Sequence, residues 1–400
     1  MADNQLRGTE VQDCPAIRVT QNEGCPSIRV RITGGGETPE APLSDVNFYD
    51  YDGKRVASYT AADFAALDAM PANPSHQGLT AQGWNWSLAD AQAAVAANGR
   101  LDVGQNYTTD DGKTRLYIEI AEPERMTVTV YWRQLVSESI TINWGDESAE
   151  ETAPGTNAVN LSHTYARVGN YKITMKSNGS QYSLGSGTAS YAVIGPTSNT
   201  GRYETNRLLR VEIGDYISDL PYSCFSQCAS LSSVSIPQAV KLFNASCFSN
   251  CHTLKGVILP SGSTMLDGYA LNACESLAVV VFPKTNIAAL NDNNFSSDMS
   301  LRSIVLPSSL TQIKNNVFNA CSSLTSITIP AGVTSIGNAA FSNCYGMKAY
   351  HFKSTTPATL GTTVFNNIPA DCKIYVPNSA VATYQGATGW IDYASYIVGE

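Results

Sequence analysis

The second half of the chain repeats its apolar positions every 23 or 24 residues. Leu231, Leu254, Leu277, Leu301, Leu324 and Met347 form one column, spaced 23, 23, 24, 23 and 23 residues apart. Six residues after each of the first five stands a proline: Pro237, Pro260, Pro283, Pro307 and Pro330. A third column runs Phe225, Phe248, Leu271, Phe295, Phe318, Phe341 and Phe365, and a fourth runs Cys228, Cys251, Cys274, Asp298, Cys321 and Cys344. Self-similarity at such a period is the signature of a solenoid. In the unit SSLTSITIPAGVTSIGNAAFSNC at 322–344, Leu324, Ile327 and Ile329 have the spacing of a short strand behind its anchor leucine. Pro330 ends that strand, having no N–H to donate to a ladder. One strand per turn stacks into a parallel sheet, while the return path carries Val333, Ile336 and Phe341 inward. No single unit can bury that set, so each turn depends on its neighbours.

The unit resembles the leucine-rich repeat of the BspA-like class of bacterial surface proteins, in which strand, proline, Val-x-x-Ile and Ala-Phe-x-x-Cys recur at this length. The resemblance covers residues 206–400. It implies a leucine-rich repeat solenoid over 206–370 and a C-terminal cap over 371–400, where Ile374, Tyr375, Val376 and Pro377, followed by Tyr384, Trp390 and Tyr393, read as a strand and an amphipathic helix. Adhesion and recognition are the roles that the class implies. One turn departs from the pattern: it is one residue longer, carries Asp298 in the cysteine column, and holds residues 286–294 in place of Val-x-x-Ile. A buried unpaired carboxylate is costly, so Asp298 is expected to be hydrogen-bonded or to face solvent, and the turn to bulge outward.

The first half has other rhythms. CPAIRV at 14–19 and CPSIRV at 25–30 are copies 11 residues apart, too small to fold alone. They predict a β arm over 1–36, for attachment or homo-oligomerisation, with Gly34, Gly35 and Gly36 opening a linker. A small mixed α+β domain is predicted over 43–123. Residues 46–49 read as a strand, Thr60 with Asp63 and Ser87 with Asp90 open two helices, the second ends at Asn98 and Gly99, and residues 116–120 alternate as a further strand. Trp84 and Trp86 either pack locally or form a sugar-stacking platform. Over 124–196, alternating strands between regularly spaced turns predict a β-sandwich. Here Trp144, Gly145 and Asp146, with His163, Tyr165, Gly169 and Tyr171 downstream, resemble the PKD-type immunoglobulin-like domain, with Glu147 where that family often has glycine. This resemblance implies a spacer and recognition module in which His163 is structural. More loosely, the whole order resembles tail-associated proteins of gut bacterial prophages. The fold class is thus mainly β with α/β parts: a leucine-rich repeat solenoid preceded by an immunoglobulin-like β-sandwich and a small mixed α+β domain.

Composition narrows the function. The chain is 43% hydrophobic with 20 Tyr, and only 15% charged against roughly 25% in average soluble proteins; this suits an extracellular or cell-surface protein. A net charge of -9 repels a phosphate backbone, which sets nucleic acid aside. No run approaches the roughly 20 apolar residues of a membrane span. Residues 1–5 are polar, without the pattern of a secretory signal, so export is expected through assembly into a virion or tail-like particle, or by ordinary secretion of a trimmed chain.

Ten cysteines ordinarily suggest disulfides or zinc. Five of them hold one repeat position, so reduced, buried thiols are expected. Cys224 and Cys247 complete two Cys-x3-Cys pairs, which keeps a four-thiolate metal cluster as the alternative, and Cys14 and Cys25 would pair if oxidised. Asn291, Asp292, Asn293 and Asn294 with Asp298 offer oxygen ligands for calcium, and equally well suit turns. His76, His163, His252 and His351 fall far apart, and no nucleophile elbow, P-loop or metalloprotease pattern occurs. No catalytic residue, metal or cofactor is expected. The leading function is non-enzymatic recognition of a protein or glycan on a cell surface; the alternatives are a phage or prophage tail receptor-binding protein and a glycan-active enzyme using paired carboxylates.

The stacked sheet offers the binding face. Between inward anchors, the outward positions run Glu212, Ser235, Ile258, Val281, Val305, Thr328 and His351 in one column, and Arg210, Ser233, Gly256, Val279, Ser303, Ser326 and Ala349 in the other. Ile258, Val279, Val281 and Val305, rimmed by Lys255 and Arg302, form an apolar patch with a charged edge in the middle turns. A contiguous exposed apolar patch of this kind is what a partner surface looks like, so the middle of the sheet, and not its ends, is expected to contact a protein partner.

Overall fold

The computed structural model describes residues 44–134, 138–154, 157–179, 181–185, 192–195, 205–284 and 287–400; the arm expected over 1–36 lies outside them. The first elements form where the caps dictate. Thr60 and Ser87 accept from the backbone N–H of Asp63 and Asp90, at 3.1 and 3.2 Å, and so open helices α1 (Ala61–Ala65) and α2 (Leu88–Asn98). Gly99 closes α2 in the left-handed conformation, φ 74°, with its N–H on Val95 O. The helices are joined to strands β1 (Val46–Tyr49), β2 (Arg55–Tyr59), β3 (Leu79–Trp84) and β4 (Leu101–Thr109), ordered β2-β1-β4-β3. Phe48, Phe64, Ala91, Val95 and Val103 are its small core. Trp84 packs on Phe48 and donates to Pro71 O at 2.8 Å, which makes it local packing.

The strand expected at 116–120 forms, but not in this unit. Strand β5 (Thr114–Ile120) pairs with β10 (Gly169–Ser177) on one side and with the first solenoid strand, β13 (Leu208–Glu212), on the other. Leu116, Ile118 and Ile120 point into a core they share with Ile173, Met175 and Val211, so the boundary drawn at residue 123 moves back to the turn before β5. One sheet therefore runs from the middle region into the solenoid: it continues from β10 through β7 (Ser139–Asn143) to β8 (Glu151–Pro154), and from β13 to the parallel strand Ser233–Ser235. A second sheet, β6 (Thr127–Gln134) with β9 (Asn157–Thr164), β11 (Tyr182–Leu184) and β12 (Ile194–Gly195), contributes Val128, Val130 and Trp132 to the same core. His163 stacks on Trp144 and holds Asp146 at 2.7 Å, while Tyr165 donates to Trp144 O. Glu147 takes φ 67°, the left-handed backbone that glycine tolerates best.

From β13 onward the described turns lay down a short outward-facing strand and a two-residue bridge on the return path, except that residues 301–307 run extended without pairing as a strand. Among the described residues, seven successive turns each carry two non-glycine residues of positive φ four apart, from Ser223 and Gln227 to Thr363 and Asn367. That strain is offset by a hydrogen-bond ladder between turns, such as Phe248 N to Ala270 O and Phe318 N to Ala340 O, both 2.8 Å. The Phe column stacks ring on ring, with centroids 5.3 Å apart from Phe318 to Phe341. The eight described cysteines are all buried free thiols; Cys251, Cys274, Cys321 and Cys344 donate to the column carbonyl of the turn before at 3.0 to 3.1 Å. Tyr384 on helix α3 (Val381–Gly386) and Trp390 after it close the end of the column.

The irregular turn is not missing its Val-x-x-Ile segment. Ile287 and Leu290 fill those positions, both buried, and Ala289–Leu290 pairs with Gln312–Ile313. Proline precedes the first of the pair by three residues in the neighbouring turns and by four here, so the extra residue lies between Pro283 and Ile287. Asn291 and Asn294 serve the turn: Asn294 Oδ1 accepts from Asn291 N at 2.7 Å and Asn291 Nδ2 donates to Leu266 O at 3.0 Å. Asp298 is buried, with Oδ1 accepting from Cys274 N at 2.8 Å.

Candidate binding cleft

The apolar middle of the solenoid sheet is not free. Ile258 and Val281 are 2% and 0% exposed, because the α+β unit lies across them: Tyr49, Ile258, Val279 and Val281 make one small cluster. The expected exposed patch is corrected accordingly. Outward apolar positions looked like a partner surface because they are one, and the partner is the same chain. Lys255 and Arg302 remain exposed at its edges, and Val305 is half-buried.

Small residues permit the approach. A Cβ on Gly104 of β4 would collide with the Ile258 side chain, and one on Gly53 would come within 3.0 Å of Gly256 Cα. Side-chain amides then serve the edge carbonyls of the solenoid: Asn106 Nδ2 donates to Ile236 O and Ile258 O at 3.1 and 3.3 Å, and Asn85 Nδ2 to Leu259 O at 3.1 Å. Trp86 donates to Phe282 O at 3.0 Å, so it staples the two parts together, and it stays half-buried beside the cleft that opens past α2. Arg100 reaches Ser303 Oγ at 3.0 Å, and Lys284 pairs with Asp90 at 2.7 Å.

Beyond this contact the sheet is uncovered. Between the C-terminal end of α2 and the strands Ser326–Ile329 and Ala349–Phe352 a cleft of about 670 Å³ opens. Its floor includes Val305 and Thr328, and its far wall is His351, Lys353 and Glu400. Glu400 holds both the imidazole and the ammonium, with His351 Nδ1 and Lys353 Nζ each 2.7 Å from its carboxylate. Burial raises the Glu400 carboxyl pKa, but those two hydrogen bonds outweigh it and hold the group below its ordinary value. Tyr375 stacks on the His351 ring, centroids 4.8 Å apart and nearly parallel, which fixes the imidazole at the mouth.

Of the six residues expected to bind, only Val305 lines this cleft. Thr328 and His351 stood in the same outward column, where the residues turn from apolar to polar past the middle turns; that change of character is the signal that marks the uncovered part. Arg100 and Glu400 carried none, since each reaches the cleft from another element.

Residues 203–298 and 288–387 match the family described as BspA type leucine rich repeat region, in six copies. Three solved structures are similar in part. A leucine-rich repeat protein from Bacteroides ovatus ATCC 8483 is 21% identical with a TM-score of 0.34, over 42% of this chain and 55% of its own. The T. pallidum leucine rich repeat protein is 26% identical with a TM-score of 0.39, over 47% and 82%. A leucine rich cell surface protein from Faecalibacterium prausnitzii A2-165 is 19% identical with a TM-score of 0.24, over 35% and 58%. This chain thus spans about half the length of the first. No curated protein matches it. The turns within residues 203–387 therefore form a leucine-rich repeat solenoid whose six matched copies are similar to the BspA type.

Proposed function

We propose that the protein is a non-enzymatic recognition module of a cell surface, taking a protein or glycan partner in the cleft beside α2. The observation that carries this is the docking itself: residues 44–109 cover the apolar middle of the sheet, and beside them lies a stretch of outward face that is concave and polar-rimmed. Glu400 holds His351 Nδ1 at 2.7 Å, and Thr328 stands opposite His351 in the register of the two strands, so the pair lends the rim a fixed polar edge beside a hydroxyl that a partner can hydrogen-bond.

The test is a screen of the full chain against immobilised glycans and cell-surface proteins, repeated with Thr328→Arg and Val305→Ser. Ligands of the cleft bind each variant at least tenfold more weakly, a loss of about 1.4 kcal/mol. Ligands that hold both variants as tightly as the parent chain would place recognition elsewhere.

A further inference from the structure

The outward face of the six-stranded sheet carries a second hollow, which shares no lining residue with the cleft. Register builds its floor. Lys172 on β10 lies opposite Tyr117 on β5, and Tyr117 opposite Arg210 on β13, so the three stand in a row across strands about 4.8 Å apart. The α+β unit supplies a wall with His76, Gln77 and Gly78, enclosing about 500 Å³.

The two carboxylates of the hollow are already engaged. Asp110 pairs with Arg115 at 2.8 Å; Glu212 pairs with Arg115 at 3.4 Å and Arg210 at 3.2 Å, and accepts from the Tyr117 hydroxyl at 3.0 Å. The Arg210 guanidinium lies over the Tyr117 ring, 3.9 Å from its centroid, a stacked and preorganised fork for an incoming anion. Among the described residues Lys172 forms no ion pair. It also borders an adjoining hollow of about 330 Å³, where Lys176, Thr141, Asn143 and Thr174 continue the floor beside Glu150 and Lys113, the latter paired with Asp111 at 3.0 Å. Across the two hollows Lys113, Arg115, Lys172, Lys176 and Arg210 thus outnumber the carboxylates Asp110, Glu150 and Glu212, in a chain whose net charge is -9.

We propose that this face binds an acidic saccharide, with one sugar carboxylate held between Arg210 and Lys172 and the next sugar of the chain lying over Thr174 and Lys176. The lining is mostly hydroxyl, amide and charged groups, which suits a hydroxylated ligand better than the apolar anchors of a peptide. The site is separate from the cleft of the proposed function, and its failure would leave that proposal untouched.

The experiment titrates the full chain with tetragalacturonate, with maltotetraose as its neutral counterpart and tetraglutamate as an acidic peptide. Tetragalacturonate binds saturably and more weakly as salt is raised. Arg210→Lys, which keeps the charge but removes the fork, and Lys172→Glu each weaken it at least tenfold, whereas Lys348→Glu, the same charge change at a remote exposed site, leaves it unaltered. Absence of tetragalacturonate binding, equal affinity for maltotetraose or tetraglutamate, or unaltered binding by the Arg210 and Lys172 variants would each overturn the proposal.

Discussion

At position 298 a carboxylate occupies a place built for a thiol. Asp298 keeps the backbone N–H that its column accepts, from Cys274, but its Oδ2 is buried without a hydrogen-bond partner among the described residues. Burial pushes its pKa well above the ordinary carboxylate value, against the lowering effect of that N–H. A folded-state pKa raised above the unfolded one means that ionisation of Asp298 adds no cost below about pH 3.9, and that further stability is lost as pH climbs towards the folded value. Asp298→Cys, restoring the column, is expected to stabilise the fold by about 1 to 3 kcal/mol at pH 7, the cost of a buried unsatisfied polar group. Urea unfolding at pH 7 and pH 4 checks it, since the advantage should shrink at the lower pH; an equal advantage at both would mean that ionisation is not the cause. The thiol column itself was legible from spacing, because a residue type recurring in phase with Leu and Phe columns must share their core.

At the scale of elements the decisive contact is β4 against the solenoid strands Gly256–Ile258 and Val279–Val281. Gly256→Val would drive two methyl groups into the Gly53 backbone, which cannot yield as a side chain can. The expected result is release of the α+β unit while the solenoid stays folded. Hydrogen exchange would show it: amides of α2 and β4 become less protected, those of the last four turns do not change. Equal protection of α2 in the variant would show that the close approach is dispensable. The helix caps at Thr60, Ser87 and Gly99 could be read from residue type and spacing because a cap is a local structure. The partner of β5 could not be read so, since an alternating strand specifies which face is buried but leaves open the neighbour it pairs with.

At the scale of the whole molecule, β5 turns three sequence regions into one body. It pairs with β13, so the solenoid has no open N-terminal edge in the full chain. A chain beginning at residue 205 would leave β13 with an unpaired edge, a template for association with another chain. Light scattering is expected to show such a fragment self-associating at concentrations where the full chain is monodisperse; a stable monomer would mean that the solenoid caps itself. The same continuity explains why residues 44–400 behave as a single compact unit, where composition and turn spacing suggested a string of separable modules.

The sequence by itself determined the solenoid: its period, its columns, which residues face inward and where a turn gains a residue. These follow from contacts between residues one repeat apart, and a repeat states its own neighbours. What faces outward was left open, because Ile258 and Val281 have the same character whether they meet solvent, a partner or the chain's own β4. Only the tertiary structure decided that, since burial of an outward position depends on contacts made across more than a hundred residues of chain. The open cleft at Thr328 and His351 is what remained after the middle of the sheet had been taken.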